Sequence, residues 1–115
     1  MEIYHNPRCQ KSRQTLKILQ DAQVDFEIRK YLENPPSKDE LRDVLDKLDI
    51  APEALIRKKE KLYIDEYKGT ELTDEEWIEI MVKHPILIER PIVIEGDRAV
   101  IGRPPENVRE LFSAR

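Results

Sequence analysis

The arrangement of strand-like segments restricts the fold of this chain more than any other feature, because these segments lie only toward its two ends. Residues 2–5 read as a short strand, and residues 25–31 alternate apolar and charged side chains as a half-buried strand does. Residues 91–94 and 99–101 are apolar runs of strand-like composition. Any sheet must therefore combine the two ends, with about residues 36–83 added as helical material between them.

Local signals mark the turns and helices between these strands. Gly96-Asp97 is a two-residue connection with glycine first, which is typical of a β-hairpin. Residues 37–40 and 73–76 match the capping-box pattern, so each predicts the start of a helix, and the second helix is expected to end at Pro85. Further helices are expected from Cys9 or Gln10 to about Ala22, at residues 52–56, over residues 62–67 and after Pro104-Pro105.

The resulting order is β-α-β, several helices, then β-β-α. With 115 residues, the chain is expected to form one domain over residues 1–115. Its two ends can pair into one mixed four-stranded sheet, with the helical insertion of about residues 36–83 between the βαβ and ββα halves. This is the α/β layout of thioredoxin-like proteins.

Composition argues against several classes of function. The formal net charge of −4 argues against general nucleic-acid binding. No apolar run approaches the roughly 18 residues that span a membrane, and the chain shows no signal-peptide pattern. One cysteine cannot form an intramolecular disulfide, and two histidines at unrelated spacings do not predict a metal site. Together these features predict a cytoplasmic protein with a reduced thiol.

Cys9, the only cysteine, stands where a strand passes into a helix, among positive charges. A thiol at its usual pKa of about 8.5 is only a few per cent ionised at neutral pH, so a reactive cysteine needs a lower pKa. The free N–H groups of a helix start would lower it, and Arg8, Lys11 and Arg13 would help if they point inward. Ser12 is placed to donate its hydroxyl hydrogen to the sulfur. The surrounding charge argues against the alternative of an inert buried cysteine.

Groups that stabilise a thiolate also bind an oxyanion. The loop before Cys9 has no glycine, so it is not a P-loop, and Thr15 stands where a Cys-x5-Arg phosphatase has its arginine. Arg57, Arg90 and Arg103 each adjoin an apolar run. Such arginines are usually ion-paired or extend to the surface, but a guanidinium is also the preferred bidentate partner of an oxyanion.

Five segments resemble, in the same order along the chain, the glutaredoxin-dependent arsenate reductases, a single-domain thioredoxin-like family in the same superfamily as the Spx regulators. They are HNPRC, SRQTL, LIRKK, HPILIERPIVI and IGRPP, and they cover nearly the whole chain. The resemblance implies an oxidoreductase that reduces arsenate to arsenite with a cysteine thiolate as nucleophile. Glutathione would be the co-substrate and glutaredoxin the protein partner, with no bound cofactor. We also expect the protein to be a monomer.

The resemblance also implies roles for individual residues. Cys9 would be the nucleophile, and Pro91 would match the cis-proline of thioredoxin-like folds. The positions that tune the thiolate would be His5, Asn6 and Ser12, and those that bind the oxyanion would be Arg57, Arg90 and Arg103.

One segment departs from that family, because Gln10-Lys11 replaces the Gly-Thr that many members have after the cysteine. The difference leaves open a general glutathione-dependent thiol oxidoreductase with another substrate. A protein-binding regulator resembling Spx is a third reading, although the second position of its Cys-x-x-Cys switch is Ser12 here. Arsenate reduction is favoured because neither alternative needs Arg57, Arg90 and Arg103 together.

Overall fold

The computed structural model describes residues 1–112, which belong to two compact units. The first unit combines residues 1–34 with the chain from Arg90 onward, and the second is Pro35–Glu89. The first unit contains the sheet, and the second is largely helical. Within residues 1–112, no helix has the length and apolar character that crossing a membrane would require.

The first unit contains the mixed four-stranded sheet that the sequence predicts. Strand β1 is Glu2–Tyr4, β2 is Glu27–Arg29, β3 is Ile92–Glu95 and β4 is Arg98–Ile101. The strand order is β2-β1-β3-β4; β2 is parallel to β1, whereas β3 is antiparallel to both β1 and β4. The predicted hairpin between β3 and β4 is confirmed, and its Gly96 has a φ of +58°, which glycine adopts without strain.

Two helical segments complete the first unit. Helix α1 is Gln10–Asp21, and the last segment, Pro105–Leu111, is a 3-10 helix rather than the α-helix that its apolar spacing resembles. The Asn107 side chain donates hydrogen bonds to the carbonyl oxygens of Ile101 and Arg103, which ties this segment to the end of β4. The core between sheet and helices is formed by Ile3, Leu19, Val93, Val108 and Leu111.

Strand β2 is shorter than predicted, with three residues instead of residues 25–31. The carbonyl oxygen of Lys30 accepts hydrogen bonds from the N–H groups of Glu33 and Asn34, at 3.0 and 2.9 Å. This turn takes the chain out of the sheet directly after β2. The alternating pattern in the sequence therefore extends beyond the residues that pair.

The second unit is built on two α-helices whose starts were predicted. Helix α2 is Lys38–Leu48 and helix α3 is Asp74–Lys83, which ends before Pro85 as expected. Both capping boxes are confirmed, because Ser37 and Thr73 each exchange reciprocal hydrogen bonds with the residue three positions later. Shorter segments are the 3-10 helices Pro52–Leu55 and Pro85–Leu87 and the π-helix Tyr63–Tyr67.

Candidate active site

Cys9 lies at the N-cap of α1, at the end of the loop that follows β1. Its backbone is extended, with φ −93° and ψ 123°, and only 9% of the residue is exposed. The Cys9 N–H donates to the carbonyl oxygen of Asn6 at 3.0 Å, and the Asn6 side-chain Oδ1 accepts from the N–H of Arg8 at 3.0 Å. Arg13 closes the loop from the helix side by donating to the carbonyl oxygen of Pro7 at 2.9 Å. The loop therefore presents the sulfur at the start of the helix.

The hydroxyl of Ser12 does not bind the sulfur, so that sequence prediction is wrong. Ser12 is fully buried, and its Oγ lies 2.6 Å from His5 Nδ1 and accepts the N–H of Asn6 at 3.0 Å. With these two partners, the hydroxyl ties α1 to the chain between β1 and Cys9. It is the backbone N–H of Ser12, not its side chain, that interacts with the thiol.

Two arginines lie at the sulfur, and the β3–β4 hairpin explains why. Because Ile92 pairs with Ile101, Arg90 precedes β3 at the same end of the hairpin at which Arg103 follows β4. Arg103 Nη2 donates to Cys9 Sγ at 3.6 Å, and Arg103 Nε donates to the carbonyl oxygen of Arg90 at 2.7 Å. Arg90 is 9% exposed. Arg90 and Arg103, which are 81 and 94 positions from Cys9 in the sequence, are thus brought to its thiol by strand pairing.

The pKa of Cys9 is lowered from its ordinary value. Burial alone would raise this pKa, but the N–H of Ser12, a hydrogen bond from Arg90 and the positive charges of Arg90 and Arg103 together outweigh burial. The cations that act on the thiol are therefore the two from the hairpin. Arg8, Lys11 and Arg13, which the sequence suggested for this role, are exposed, and Arg13 binds the loop backbone instead.

His5 is buried and carries a lowered pKa. Burial is the main cause, followed by the positive charges of Lys30 and Arg13. The imidazole is therefore neutral at neutral pH, and its bond to Ser12 joins two neutral groups. This arrangement fixes the loop without placing a further positive charge in the buried site.

Gly102 was not singled out by the sequence, yet it sits at a close approach beside the site. A side chain there would place its Cβ 2.5 Å from Thr15 Oγ1 and 2.8 Å from Pro91 Cγ. The Gly102 N–H donates to the carbonyl oxygen of Pro91 at 2.9 Å. The Arg90–Pro91 peptide bond is cis, as the resemblance implied, and so is Arg103–Pro104, which no residue pattern predicted. In the sequence, the only signal for the close packing at Gly102 was the position of a glycine between an apolar strand and an arginine.

Arg57 belongs to the second unit, where two carboxylates hold its guanidinium. Arg57 Nε lies 3.0 Å from Glu60 Oε1, and Nη1 lies 3.4 Å from Glu89 Oε1. Its backbone N–H donates to the carbonyl oxygen of Leu87 at 2.7 Å. The guanidinium is thus oriented by its neighbours, and its place in an oxyanion site stays a prediction.

The first unit combines the strand order β2-β1-β3-β4 with a cysteine at the start of its first helix, which is the thioredoxin-like arrangement. The chain belongs to the ArsC family, whose model matches residues 4–111. The resemblance found in the sequence is confirmed.

Three similar proteins match this chain over nearly their whole length. An arsenate reductase of Haemophilus influenzae is 42% identical, covering 96% of this chain and 97% of that protein. The solved structure of an arsenate reductase from Vibrio cholerae is 42% identical with a TM-score of 0.92, covering 97% of this chain and 98% of that chain. The uncharacterized protein YfgD of Escherichia coli K12 is 45% identical, covering 96% of this chain and 95% of that protein.

Proposed function

We propose that this protein reduces arsenate to arsenite, and that glutathione followed by glutaredoxin supplies the electrons. The observation that carries the proposal is a thiol of lowered pKa with guanidinium groups beside it, of which Arg103 Nη2 lies 3.6 Å from Cys9 Sγ. A thiolate is the nucleophile, and guanidinium groups are suited to hold an oxyanion next to it. The arsenate reductases of Haemophilus influenzae and Vibrio cholerae support arsenate as that oxyanion.

The first step is attack of the Cys9 thiolate on arsenic. A bond forms between Sγ and arsenic(V), and one oxygen leaves as water after it is protonated. Arg90 and Arg103 reduce the repulsion between thiolate and oxyanion and stabilise the charge that develops in the transition state. Arsenic keeps its oxidation state here, because sulfur only replaces oxygen.

The second step transfers the electrons. The glutathione thiolate attacks the Cys9 sulfur, an S–S bond forms, and the electron pair of the broken S–As bond stays on arsenic, which leaves as arsenite. Glutaredoxin then attacks the glutathione sulfur and Cys9 departs as a thiolate. The external thiols are needed because the chain has no second cysteine that would form an intramolecular disulfide.

The remaining predicted residues support this chemistry in the proposal. His5, Asn6 and Ser12 hold the Cys9 loop through the hydrogen bonds described above. Arg57 is the third oxyanion-binding arginine, and Pro91 shapes the wall beside Arg90. A monomer in the cytoplasm, where glutathione keeps thiols reduced, fits this cycle.

The decisive experiment is an arsenate reduction assay with glutathione and glutaredoxin, comparing the wild type with Cys9→Ser. We expect turnover in the wild type and none in Cys9→Ser, while both proteins keep the same circular dichroism and thermal melting. Mass spectrometry after arsenate and glutathione should find one glutathione on Cys9. Efficient turnover with thioredoxin alone would rule out the proposed electron donor. A protein that reduces glutathione mixed disulfides but not arsenate would be a general thiol oxidoreductase instead.

A further inference from the structure

A cavity of about 310 Å³ lies against the loop that leads into Cys9. Arg8, the residue directly before Cys9, lines it, so the cavity adjoins the loop that presents the cysteine. Sites for small molecules span roughly 300–1,000 Å³, so this volume suits a ligand the size of a short peptide. The other lining residues used below are His5, Asn6, Lys30, Leu32 and Glu33.

The charged groups at this cavity are two cations, Arg8 and Lys30, and one carboxylate, Glu33. In the described part of the chain, none of these three side chains forms an ion pair, so their charges are available to a ligand. The positive charge of Lys30, second to burial, lowers the pKa of His5, which agrees with its place at the cavity wall. The chain as a whole has a net charge of −4, so this pair of cations is a local feature.

The cavity also offers uncharged contacts. Asn6, which is 7% exposed, uses its Oδ1 to accept the N–H of Arg8, which leaves its amide N–H groups as donors in the wall. Leu32 is 42% exposed, so its apolar side chain is accessible to a ligand in the cavity. A ligand with both amide groups and methylene groups would therefore find partners.

A neighbouring hollow is less suited to such a ligand. It shares Lys30 and Glu33 and has one further cation, Arg29, but Glu2 and Glu27 give it three carboxylates against two cations. Carboxylates in the ligand would be repelled there. The cavity at the Cys9 loop is therefore the better site for an anionic peptide.

We propose that the cavity bounded by Arg8, Lys30 and Glu33 binds glutathione and positions its thiol for Cys9. The proposal rests on the proposed function, in which glutathione attacks the Cys9 sulfur. Glutathione at neutral pH carries two carboxylates and one ammonium group, which complement two cations and one carboxylate. Arg8 and Lys30 bind the carboxylates and Glu33 binds the ammonium group, while Leu32 covers methylene groups.

The test is an NMR titration of the full chain with S-methylglutathione, whose blocked sulfur cannot react. We expect shift changes at the backbone amides of His5, Asn6, Leu32 and Glu33. Lys30→Gln and Glu33→Gln should each weaken binding about two- to fivefold, as loss of one exposed charge pair does. The matched controls Lys17→Gln and Glu71→Gln, both at exposed positions, should bind as the wild type does.

Kinetics separate this site from the proposed function. With glutathione, Lys30→Gln should raise the KM for the thiol by a similar factor, whereas with uncharged 2-mercaptoethanol it should not. The proposed glutathione site would be refuted if the shift changes were confined to other residues. It would also be refuted if the cavity variants bound S-methylglutathione as tightly as the wild type does, even if arsenate is reduced. Binding at the cavity without arsenate turnover would support the site and refute the proposed function.

Discussion

The two units of this chain differ in what they bury. In the first unit, five polar or charged side chains are almost fully buried: His5, Asn6, Ser12, Thr15 and Arg90. In the second, the buried side chains are apolar or aromatic; Trp77, for example, is 1% exposed and packs against the rings of Tyr63 and Tyr67. Charged pairs of the second unit, such as Lys38 with Glu79 at 2.9 Å, are partly exposed.

This difference separates function from stability. Burying polar groups is unfavourable unless each finds a hydrogen-bond partner, and most of those in the first unit surround Cys9. The second unit buries apolar surface, which is the main favourable contribution to folding, and its surface ion pairs contribute little. Substitutions near Cys9 should therefore change the chemistry most, and substitutions in the second unit should change stability most.

The largest effect is expected when an arginine beside the Cys9 sulfur is removed. Arg103→Ala should lower kcat about 100- to 1,000-fold, as loss of other preorganised oxyanion donors does. It should also raise the pKa of Cys9, because the Arg103 charge helps to lower it. Steady-state kinetics and a pH profile of thiol alkylation measure both effects. Arg103→Lys, which keeps the charge but not the forked geometry, should recover more of the pKa than of kcat. Full activity in Arg103→Ala would show that the polar site is structural.

Arg57 tests whether the second unit takes part in the chemistry, since it belongs to that unit. If it binds the oxyanion, Arg57→Ala should lower kcat/KM for arsenate about tenfold to a hundredfold, the range for a charged hydrogen bond. Lys58→Ala, at the next position and exposed, is the matched control and should change little. Equal activity in both variants would confine the chemistry to the first unit.

Gly102→Ala tests the packing beside the site. The added Cβ would meet Thr15 Oγ1 and the Pro91 ring, so we expect a loss of about 1–3 kcal/mol in the free energy of unfolding, as for other overpacked positions. Urea unfolding measures the change. Thr15→Ala removes one of the two contacts, so combining the substitutions should cost less than the sum of the single effects. Additive losses would show that Thr15 is not the obstacle.

The capping boxes test whether substitutions in the second unit lower stability without changing activity. Ser37→Ala and Thr73→Ala each remove the oxygen that accepts a backbone N–H at a helix start. Each should lower the free energy of unfolding by about 1 kcal/mol. Ser37→Thr and Thr73→Ser, which keep a capping oxygen, should lose less. Arsenate turnover should be the same in all four, and a large loss of activity would contradict the separation of roles.

The smallest effect is the dependence of stability on pH. Because the pKa of Cys9 is lower in the folded chain, its thiolate stabilises the fold fully above the pKa of the unfolded thiol. That contribution is lost as the pH falls through the lower, folded pKa. Urea unfolding of the wild type and Cys9→Ser across this interval should show a difference that grows as the pH rises. Parallel curves would mean that the thiol pKa is not lowered.

Local sequence patterns predicted most of the fold. Both capping boxes, the Gly96 hairpin and the stop before Pro85 depend on neighbouring residues, and all are confirmed. The predicted length of β2 was wrong because the alternation of apolar and charged residues continues past the turn that begins at Lys30. Periodicity reports which face a residue occupies, not where a strand stops pairing.

The site was only partly predictable, for a different reason. Residue type alone does not tell whether the Ser12 hydroxyl turns to the sulfur or to His5, and the structure has it on His5. The charges nearest Cys9 in the sequence were expected to act on it, yet the pairing of β3 with β4 brings Arg90 and Arg103 there. Contacts between distant segments decide both points.

The three-residue length of β2 has a consequence for how the chain behaves at high concentration. β2 is at the edge of the sheet, and the free side of an edge strand can pair with a strand of another molecule. A strand this short provides few backbone groups for such pairing, and Glu27 and Arg29 place charges on either side of the exposed Ile28. Strand β2, which ends at the turn beginning at Lys30, is therefore a poor template for β-aggregation, both in a crowded cell and in a concentrated solution.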